Sequence, residues 1–531
     1  MTQRPLDSRD ESCDVLVIGD PAAAEPLSRD LKNSGIRVRA LLPDHSSIDR
    51  IEDPDLLLGD LTGCGGFTGV YRVDAVGETC AWRIQTAAIV IALDERRVPE
   101  HPFPGAAESA RVHSLGEAEN LVLSGNYEYP GETVVLLNGL SRESHPAITG
   151  RMLSLCLRLR ERAPDTRVVL ITNNLKVAGH GIEALAFEAR RRGTFIYKLD
   201  GVRPAFELTG QGRVRLSFFD PAVRQAVTLT ADRMIVDEHI LPPPRMTKIA
   251  EPLRLRLDPS GFGQADNVRR LSNLTNRRGI FVAGAARGVL SDEEQLAERA
   301  TVCEAVKAFL AGTDRPEVLG AVIDTSRCGR CLTCYRICPY AAVHIGDHME
   351  VVREACQACG LCAAACPAKA IGMQAELTCG LHFEPDTTTP TPRIALFCCQ
   401  RSAGTAYESA LASKAPLPAG MVRIQVPCGG RVGTNDIAAA FEAGADGVMV
   451  LACHEGNCHS EIGSRTAGKR VAAARKALTA AGIEPERIFF AGIAANMSGE
   501  IVQWCNGFDA RLRALSSPPV LRDEKGRTHH E

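Results

Sequence analysis

Two cysteine-rich runs organise this chain: CGRCLTCYRICP at residues 328–339 and CQACGLCAAACP at residues 356–367. Each run has the spacing C-x2-C-x2-C-x3-C followed by proline, and the second repeats the first 28 residues later. The similarity continues past the thiols, because an Ala-Val-x-Ile segment ending at Ile345 is matched by an Ala-Ile-x-Met segment ending at Met373. One supersecondary unit used twice predicts a module with an internal pseudo-twofold axis.

The spacing of these cysteines is typical of iron-sulfur ligands. Three thiolates on one tight loop bind three irons of a [4Fe-4S] cube, and in two-cluster ferredoxins the fourth thiolate comes from the other half of the repeat. The expected ligands of the first cluster are Cys328, Cys331, Cys334 and Cys366. The expected ligands of the second cluster are Cys338, Cys356, Cys359 and Cys362. Structural zinc on paired thiol hooks is the alternative, but a zinc site needs neither the third thiol nor the trailing Cys-Pro.

The composition is that of a soluble globular protein with several domains. The 531 residues suggest three or four domains, and 45% apolar with 24% charged residues exclude a disordered or collagen-like chain. A net charge of -3 provides no positive field for nucleic acid or an anionic membrane. No apolar run approaches the roughly 18 residues needed to cross a bilayer, and the start of the chain lacks a signal-peptide pattern, so we expect a cytoplasmic protein without a transmembrane segment. Clustered thiols in a reducing compartment indicate metal ligands or redox groups.

The first 312 residues predict a degenerate dinucleotide-binding region made of two doubly wound α/β units, at about residues 1–125 and 126–312. A strand at 15–18, a helix up to residue 31 and a strand at 38–42 form a βαβ opening. The turn reads GDPAAA from Gly19 and keeps only the first of the three glycines that bring backbone close to a pyrophosphate. Pro21 also removes an N–H group there. The sequence therefore favours a retained core strand and helix over nucleotide binding at this turn.

A second glycine-bracketed strand, GIFVAGAARG, lies at residues 279–288 and leads into an amphipathic helix. Free N–H groups in such a loop could hold a ribityl or phosphate group, and packing of the strand against the helix explains the same glycines equally well. The candidate flavin contacts of the front half are Gly19, Gly284 and Gly288. No acid-base pair, nucleophile triad or phosphate loop rises above background, so we expect no catalytic residue.

Residues 393–516 predict a parallel α/β domain, because strands at 393–397, 422–426, 447–451 and 487–490 alternate with helices. Cysteines follow the first three strands, and the carboxyl ends of parallel strands share one edge of a sheet. The expected metal ligands are Cys399, Cys428, Cys453 and Cys458, with Cys398 as the alternative to its neighbour. Such thiols suit a [2Fe-2S] cluster or tetrahedral zinc, and their spacing does not decide between the two. His454 and His459 each follow a cysteine and leave a mixed ligand set open.

These boundaries give a ferredoxin domain at 320–376, a Thr/Pro-rich linker at 377–392 that contains Cys379, and a disordered tail at 517–531. The ferredoxin domain resembles the bacterial two-cluster ferredoxins. The last domain resembles the delta subunit of methyl-viologen-reducing hydrogenase, through FCCQRSAGTAY from residue 397, VPCGGRV from 426, FEAGADGVMVLACHEGNCH from 441 and GIEPERIFF from 482. That family carries a [2Fe-2S] cluster and passes electrons between a hydrogenase or formate dehydrogenase and its partner, which favours a cluster over zinc. Many members have a further cysteine where this chain has Ser402.

The order of the modules resembles the A subunit of heterodisulfide reductase, a flavoprotein with ferredoxin-type clusters, fused to the hydrogenase delta subunit. The B subunit of quinone-interacting membrane-bound oxidoreductase is similarly built. The resemblance implies a thioredoxin-reductase-like FAD/NAD(P)-binding fold for the front half, anchored by TAAIVIAL at 86–93 and by residues 279–288. The chain departs from it at Pro21, at Leu93 and Asp94 in place of an expected glycine, and at VDEHILPPP from residue 236 in place of a threonine-glycine turn. FAD is thus a possible cofactor rather than an expected one.

Together these features predict an iron-sulfur electron-transfer subunit of a multi-subunit oxidoreductase. It would relay electrons through two [4Fe-4S] clusters and one [2Fe-2S] cluster, between a hydrogenase-, formate dehydrogenase- or heterodisulfide-reductase-like partner and a second redox protein. One alternative is an FAD-containing oxidoreductase that converts two-electron to one-electron transfer. Another is a docking scaffold that carries clusters.

Overall fold

The computed structural model describes residues 7–43, 55–125, 130–209, 212–263, 271–312, 320–353, 355–373 and 391–515. Most of the predicted linker, with Cys379, and the whole predicted tail lie outside the described residues. The described chain has an α/β front half with two main sheets, a small α+β module and a parallel α/β domain at the end. The predicted fold class is confirmed.

The first unit is built on a mixed sheet whose two central strands end in buried apolar segments, at residues 15–18 and 88–93. Its elements are β1 (Asp7–Gly19), α1 (Pro21–Asn33), β2 (Val38–Leu42), β3 (Leu56–Leu58), β4 (Asp60–Phe67), β5 (Val70–Val76), β6 (Cys80–Leu93) and β7 (Arg96–Pro99). The strand order is β3-β2-β1-β6-β5-β4, in which β1 pairs in parallel with β2 and β6 while β4 and β5 form an antiparallel hairpin. The predicted βαβ opening forms the centre of this sheet.

The second unit repeats this plan with a fully parallel sheet. Its elements are β8 (Val112–Ser114), α2 (Leu115–Leu123), β9 (Thr133–Asn138), α3 (Pro146–Arg162), β10 (Arg167–Thr172), α4 (Ile182–Arg191), β11 (Phe195–Lys198), β12 (Ala205–Leu208), β13 (Val214–Asp220), β14 (Gln225–Ala231), β15 (Arg233–Val236) and β16 (Glu238–Leu241). The strand order is β11-β10-β9-β15-β8, and β12 to β14 form a separate antiparallel sheet. In both units the strand that opens the βαβ motif lies between its βαβ partner and a later strand: β1 between β2 and β6, and β9 between β10 and β15.

The chain then returns to the first unit through α5 (Arg245–Ala250), β17 (Ile280–Gly284) and α6 (Asp292–Leu310). The strand β17 pairs in parallel with the last five residues of β6, where β5 no longer covers its edge. Val302 and Val306 of α6 pack in the same core as Val15 of β1. The sequence division at about residue 125 placed this segment with the second unit, because a local pattern does not specify which distant edge a strand will pair with.

The small module consists of two structurally equivalent halves. Its elements are β18 (Ala321–Ile323), α7 (Thr333–Ile337), β19 (Val343–Ile345), β20 (Met349–Val351), α8 (Leu361–Ala365) and β21 (Ile371–Met373). Left-handed backbone occurs at positions 28 residues apart in the two halves: Arg330 and Ala358 at φ 50°, Leu332 at 61° with Gly360 at 77°, and Ala341 at 50° with Lys369 at 48°. The repeated conformation gives both cysteine runs the same tight loop.

The last domain has elements β22 (Ile394–Cys399), α9 (Ala403–Ala412), β23 (Met421–Val426), α10 (Thr434–Glu442), β24 (Gly447–Ala452), α11 (Gly463–Ala480), β25 (Ile488–Gly492) and α12 (Ser498–Ala514). Its four parallel strands have the order β23-β22-β24-β25. Apolar residues of α10 and α11 cover one face, and those of α9 and α12 cover the other. The strands and helices predicted for this domain all form.

The module lies between the front half and the last domain and contacts both. On one side Asn276 Nδ2 donates to Pro339 O at 2.7 Å, and the Arg254 guanidinium stacks 4.2 Å from the Tyr335 ring centroid. On the other side the Tyr340 hydroxyl donates to the carbonyl of His459 at 3.0 Å. None of the described helices is long and apolar enough to cross a membrane.

Candidate metal centres

The first thiol set, Cys328, Cys331, Cys334 and Cys366, lines one cavity of about 450 Å³ in the module. Ile323, Met349 and Ile371 complete its wall. Cys366 comes from the second cysteine run, so the set combines both halves of the repeat. Cys331 is exposed at the surface, and hydrogen bonding with the Thr333 side chain lowers the pKa of its thiol. This cavity is therefore the one with a thiol open to solvent.

The second thiol set, Cys338, Cys356, Cys359 and Cys362, lines a second cavity of about 340 Å³ in the module, and all four thiols are partly exposed. Cys338 is the member that comes from the first run. Burial raises the pKa of Cys362 to about 12 and raises that of Cys359 as well. Partly buried thiolates of this kind are stabilised by positive charge nearby, which the iron of a bound cluster would supply.

Equivalent backbone donors face the two exchanged sulfurs. The N–H of Ala342 donates to Cys338 Sγ at 3.3 Å, and the N–H of Ala370 donates to Cys366 Sγ at 3.3 Å. Hydrogen bonds to cluster sulfurs stabilise the more negative, reduced state. The repeat thus supplies both cavities with the same kind of polar support.

The third thiol set, Cys399, Cys428, Cys453 and Cys458, lies at the carboxyl edge of the last sheet, and each residue is 2–3% exposed. The sulfurs of Cys399 and Cys453 are 3.4 Å apart. Hydrogen bonding with Cys453 lowers the pKa of Cys399, and hydrogen bonding with Cys428 lowers that of Cys458. All four donors are thiols, the ligand type shared by iron-sulfur clusters and zinc.

A glycine makes room for this third set. Gly463 begins α11, and a Cβ added there would lie 2.3 Å from Cys428 Sγ and 2.9 Å from Cys458 Sγ. Non-bonded contacts this short are not found for a real Cβ atom, so only glycine is compatible with the positions of these two sulfurs. Helix α11 therefore begins against the thiol set instead of covering it with a side chain.

Cys398 lies apart from the third set. Successive residues of a strand point to opposite faces, so Cys398 packs with Cys505 and the α9–α12 core while Cys399 faces the other thiols. Ser402, where many family members have cysteine, donates from Oγ to the carbonyl of Ile493 at 2.6 Å. His454 is exposed, with Nε2 3.5 Å from Met497 Sδ.

The second and third thiol sets are neighbours. Cys359 packs against the third set, across the contact between the module and the last domain. Arg470 of α11 lies in this contact, donating to the carbonyl of Leu361 at 3.2 Å and to that of Gly430. Cys359, Cys362 and Cys428 all act electrostatically on this half-buried guanidinium. Sequence reasoning missed Arg470, because one arginine on a helix with several basic residues carries no distinguishing signal.

Within the part of the chain that the structure describes, no three or more His, Cys, Asp or Glu side chains surround a point where a single metal ion would sit. An iron-sulfur cluster is larger than one ion, and its thiolates bind to separate iron atoms. All-thiol donor sets, the lined cavities and the space left by Gly463 fit clusters at the three sets.

The candidate flavin residues of the front half are packed against, or hydrogen-bonded to, other groups of the chain. A Cβ on Gly19 would lie 1.8 Å from the carbonyl oxygen of Ala92, so close strand packing requires this glycine. Gly284 has φ 56°, and its N–H donates to the carboxylate of Glu298 at 2.6 Å. The N–H of Gly288 donates to the carbonyl of Gly284 at 3.3 Å. The residues present do not fit a bound FAD at these positions.

Comparison with known proteins agrees with this division of the chain. Residues 320–375 match the 4Fe-4S dicluster domain, and residues 394–516 match the family of the methyl-viologen-reducing hydrogenase delta subunit. The D-type iron-sulfur subunit of the F420-non-reducing hydrogenase from Archaeoglobus profundus is 35% identical over 124 residues, which are 23% of this chain and 90% of that protein. The chain belongs to the methyl-viologen-reducing hydrogenase delta-subunit family. Its last domain carries that membership, and the predicted resemblance is confirmed.

The chain is also similar to subunits of heterodisulfide reductases. The A-type iron-sulfur subunit of the CoB–CoM enzyme from Methanocaldococcus jannaschii is 29% identical over 188 residues, which are 35% of this chain and 28% of that protein. Its counterpart in the ferredoxin-dependent enzyme from Methanosarcina mazei is 25% identical over 344 residues, 62% of this chain and 42% of the relative. The chain thus spans less than half of either relative. Among solved structures, the thioredoxin reductase of T. acidophilum is 13% identical with a TM-score of 0.38, over 57% of this chain and 99% of that one.

Proposed function

We propose that the chain is an electron-transfer subunit in which two [4Fe-4S] clusters and one [2Fe-2S] cluster form a relay. The first, second and third thiol sets would hold the clusters in that order. The observation that carries the proposal is the succession of the sets: the first reaches the surface at Cys331, the first and second share one module, and Cys359 of the second packs against the third. Electrons would enter or leave at the exposed first cluster.

Several features support a redox cluster over zinc in the third set. Zinc has no redox chemistry, so a position directly beside the second set would serve no function in electron transfer if the third set held zinc. The delta-subunit family to which the domain belongs is that of a hydrogenase component, and the relative from Archaeoglobus profundus is named as an iron-sulfur protein of such an enzyme. We assign Cys399 rather than Cys398 as a ligand because only Cys399 faces the other three thiols.

When bound, each cluster accepts and releases one electron at a time. The chain's own residues hold the thiol sets at fixed separations, and burial keeps water from the third set. The N–H groups of Ala342 and Ala370 and the guanidinium of Arg470 offset the negative charge that an electron brings. These groups stabilise reduced clusters and so tune their potentials.

The partners we propose are redox subunits of a hydrogenase-, formate dehydrogenase- or heterodisulfide-reductase-like complex in the cytoplasm. The named relatives are subunits of hydrogenases and of heterodisulfide reductases, which supports this class of partner. One partner would exchange electrons at the first cluster, where a thiol is exposed. The other would exchange them at the last domain.

An anaerobic preparation of the full chain tests the assignment of the clusters. Two cubes and one two-iron cluster give about ten iron atoms per chain, and paramagnetic resonance after dithionite reduction should show both cluster types. Stoichiometric zinc with about eight iron atoms would contradict the [2Fe-2S] assignment.

Two adjacent cysteines give a matched pair of variants for the third set. Cys399→Ser should remove the [2Fe-2S] signal and about two iron atoms while leaving the [4Fe-4S] signals in place. Cys398→Ser, one residue away on the opposite face, should retain all three signals. Loss of the [2Fe-2S] signal from the Cys398 variant alone would refute the assignment.

A further inference from the structure

The first turn of the front half is occupied by a carboxylate of the chain. In nucleotide-binding folds a pyrophosphate binds to free N–H groups where the first strand leads into the first helix. Here β1 ends at Gly19 and α1 begins at Pro21, which has no N–H. The N–H of Ala23 donates to Asp94 Oδ1 at 2.8 Å, and the N–H of Ala22 also donates to this carboxylate. Asp94 follows β6, the strand beside β1, and takes the place of a phosphate oxygen.

A network of charged groups holds Asp94 at this turn. Its own N–H donates to Asp20 Oδ2 at 3.0 Å. The other oxygen of Asp20 accepts from Arg245 Nη1 at 2.6 Å, and the same nitrogen donates to the carbonyl of Gly19 at 3.0 Å. Residues from β1, the end of β6 and α5 therefore close the turn together. Two carboxylates lie where a diphosphate, itself an anion, would have to bind.

The second unit has the same arrangement at its equivalent turn. Asp237 directly follows β15, which lies beside β9 as β6 lies beside β1. Its Oδ2 accepts from the N–H of Gly139, the first residue after β9, at 2.7 Å. Its Oδ1 accepts from the Ser144 hydroxyl at 3.4 Å and from the N–H of Glu238 at 2.8 Å. Asp237 is 3% exposed, so the carboxylate is built into the core at the mouth of this turn.

A third carboxylate, that of Glu298, binds the backbone where β17 leads into the following loop. Glu298 of α6, 7% exposed, accepts from the N–H of Gly284 at the end of β17 and pairs with Arg287 at 3.1 Å. A cleft of about 700 Å³ remains between α1 and α6, lined by Ala22, Ala23 and Gly284 among others. The N–H groups of Ala23 and Gly284 that border this cleft already have carboxylate partners.

We infer that Asp94, Asp237 and Glu298 replace cofactor phosphates and hydroxyls in the two dinucleotide folds, so that the front half binds neither FAD nor NAD(P)H. A phosphate could reach these N–H groups only by displacing a carboxylate, which would leave a buried or half-buried anion without its donors. The front half then supports the relay as an apo fold and does not convert two-electron to one-electron transfer. This inference rests on the front half alone and does not depend on the clusters.

The test uses the full chain, purified anaerobically with its clusters. Flavin released by acid is measured by fluorescence, and the melting temperature is followed during titration with FAD and, separately, with NADPH. We expect no stoichiometric flavin and no saturable rise in melting temperature with either nucleotide. About one FAD per chain, or a saturable rise with FAD or NADPH, would overturn the inference. Iron content and paramagnetic resonance of the same sample report on the clusters, so a failure of the relay is seen separately.

Variants test whether the carboxylate itself holds the first turn. Asp94→Ala leaves the N–H groups of Ala22 and Ala23 without their acceptor, so it should lower the melting temperature or admit FAD. Asp74→Ala, at an exposed position of the same sheet, is the matched control and should do neither. An Asp94→Ala protein that melts like wild type and binds no FAD would show that the carboxylate does not occupy the turn. If that variant fails to fold, the titration of the wild type still decides.

Discussion

Replacing Arg470 by glutamine should lower the reduction potentials of the second and third clusters. The guanidinium donates to the carbonyl of Leu361, the residue directly before Cys362, which places its charge on the order of 8 Å from a cluster ligand. Two unit charges at about 8 Å in an effective dielectric of about 20 interact by about 2 kcal/mol. For a one-electron couple this energy is about 90 mV. Burial lowers the pKa of Arg470, but an arginine starts so high that it stays charged at neutral pH.

The assay is a potentiometric titration of the anaerobic full chain, followed by paramagnetic resonance. We expect a fall of about 50–90 mV in the second cluster and a fall of the same sign in the third. Arg470→Lys keeps the charge and should retain most of the potential. Arg465→Gln removes an exposed arginine of the same helix, which pairs with Glu455, and should shift neither cluster because solvent screens it. Unchanged potentials in an Arg470→Gln protein with full iron content would refute the electrostatic reasoning.

Three further predictions concern other parts of the molecule. Gly463→Ala should lower the iron content by about two atoms per chain, because the new Cβ collides with Cys428 Sγ. Gly499→Ala is the control, since a Cβ there meets nothing within 4 Å, and it should retain all of the iron. Equal iron contents in the two variants would contradict this reasoning. The first cluster should be the first lost in air, since Cys331 is exposed, and simultaneous bleaching of all signals would argue against this order. Burial raises the pKa of Asp237 to about 6, so the folded chain binds this proton more tightly than the unfolded chain, and the stability it contributes is lost as pH rises through 6. Between pH 5 and 8 the wild type should lose about 1.4 kcal/mol relative to Asp237→Asn in chemical unfolding, and parallel pH profiles would contradict the shift.

Local patterns were sufficient for the parts of the fold whose elements pair with near neighbours. The last domain alternates apolar strands with amphipathic helices, so its parallel sheet follows from the right-handed crossover between consecutive strands. The pairing of β17 with β6 brings together residues about 190 positions apart, and nothing near residue 280 indicates it. The hairpin of β4 and β5 was missed because its glycines weaken the strand pattern.

For the candidate sites, the sequence indicated the thiols but not their surroundings. Cysteine spacing predicted the first two thiol sets, and the position of cysteines after strand ends predicted the third, with Cys398 as an alternative to Cys399. The structure brings the members of each set to one cavity or cluster. The role of Asp94 could not be foreseen, because it depends on which strand lies beside β1. Asp94 was noted only as a departure from an expected glycine. The position of Arg470 beside the second and third thiol sets likewise depends on a contact between two domains, which a local sequence pattern does not specify.

The contact between the module and the last domain also bears on how fast the protein can work. A Cβ on Gly430 would lie 2.6 Å from Leu361 Cδ2, so the two domains touch with no room for a side chain between them. If they were separate chains, each exchange of an electron between the second and third clusters would wait for a diffusional encounter. In the proposed relay, covalent fusion and close packing would make that encounter permanent, and the internal rate would become independent of protein concentration. Electron flow would then be limited at the outer surfaces, where the proposed partners bind and dissociate.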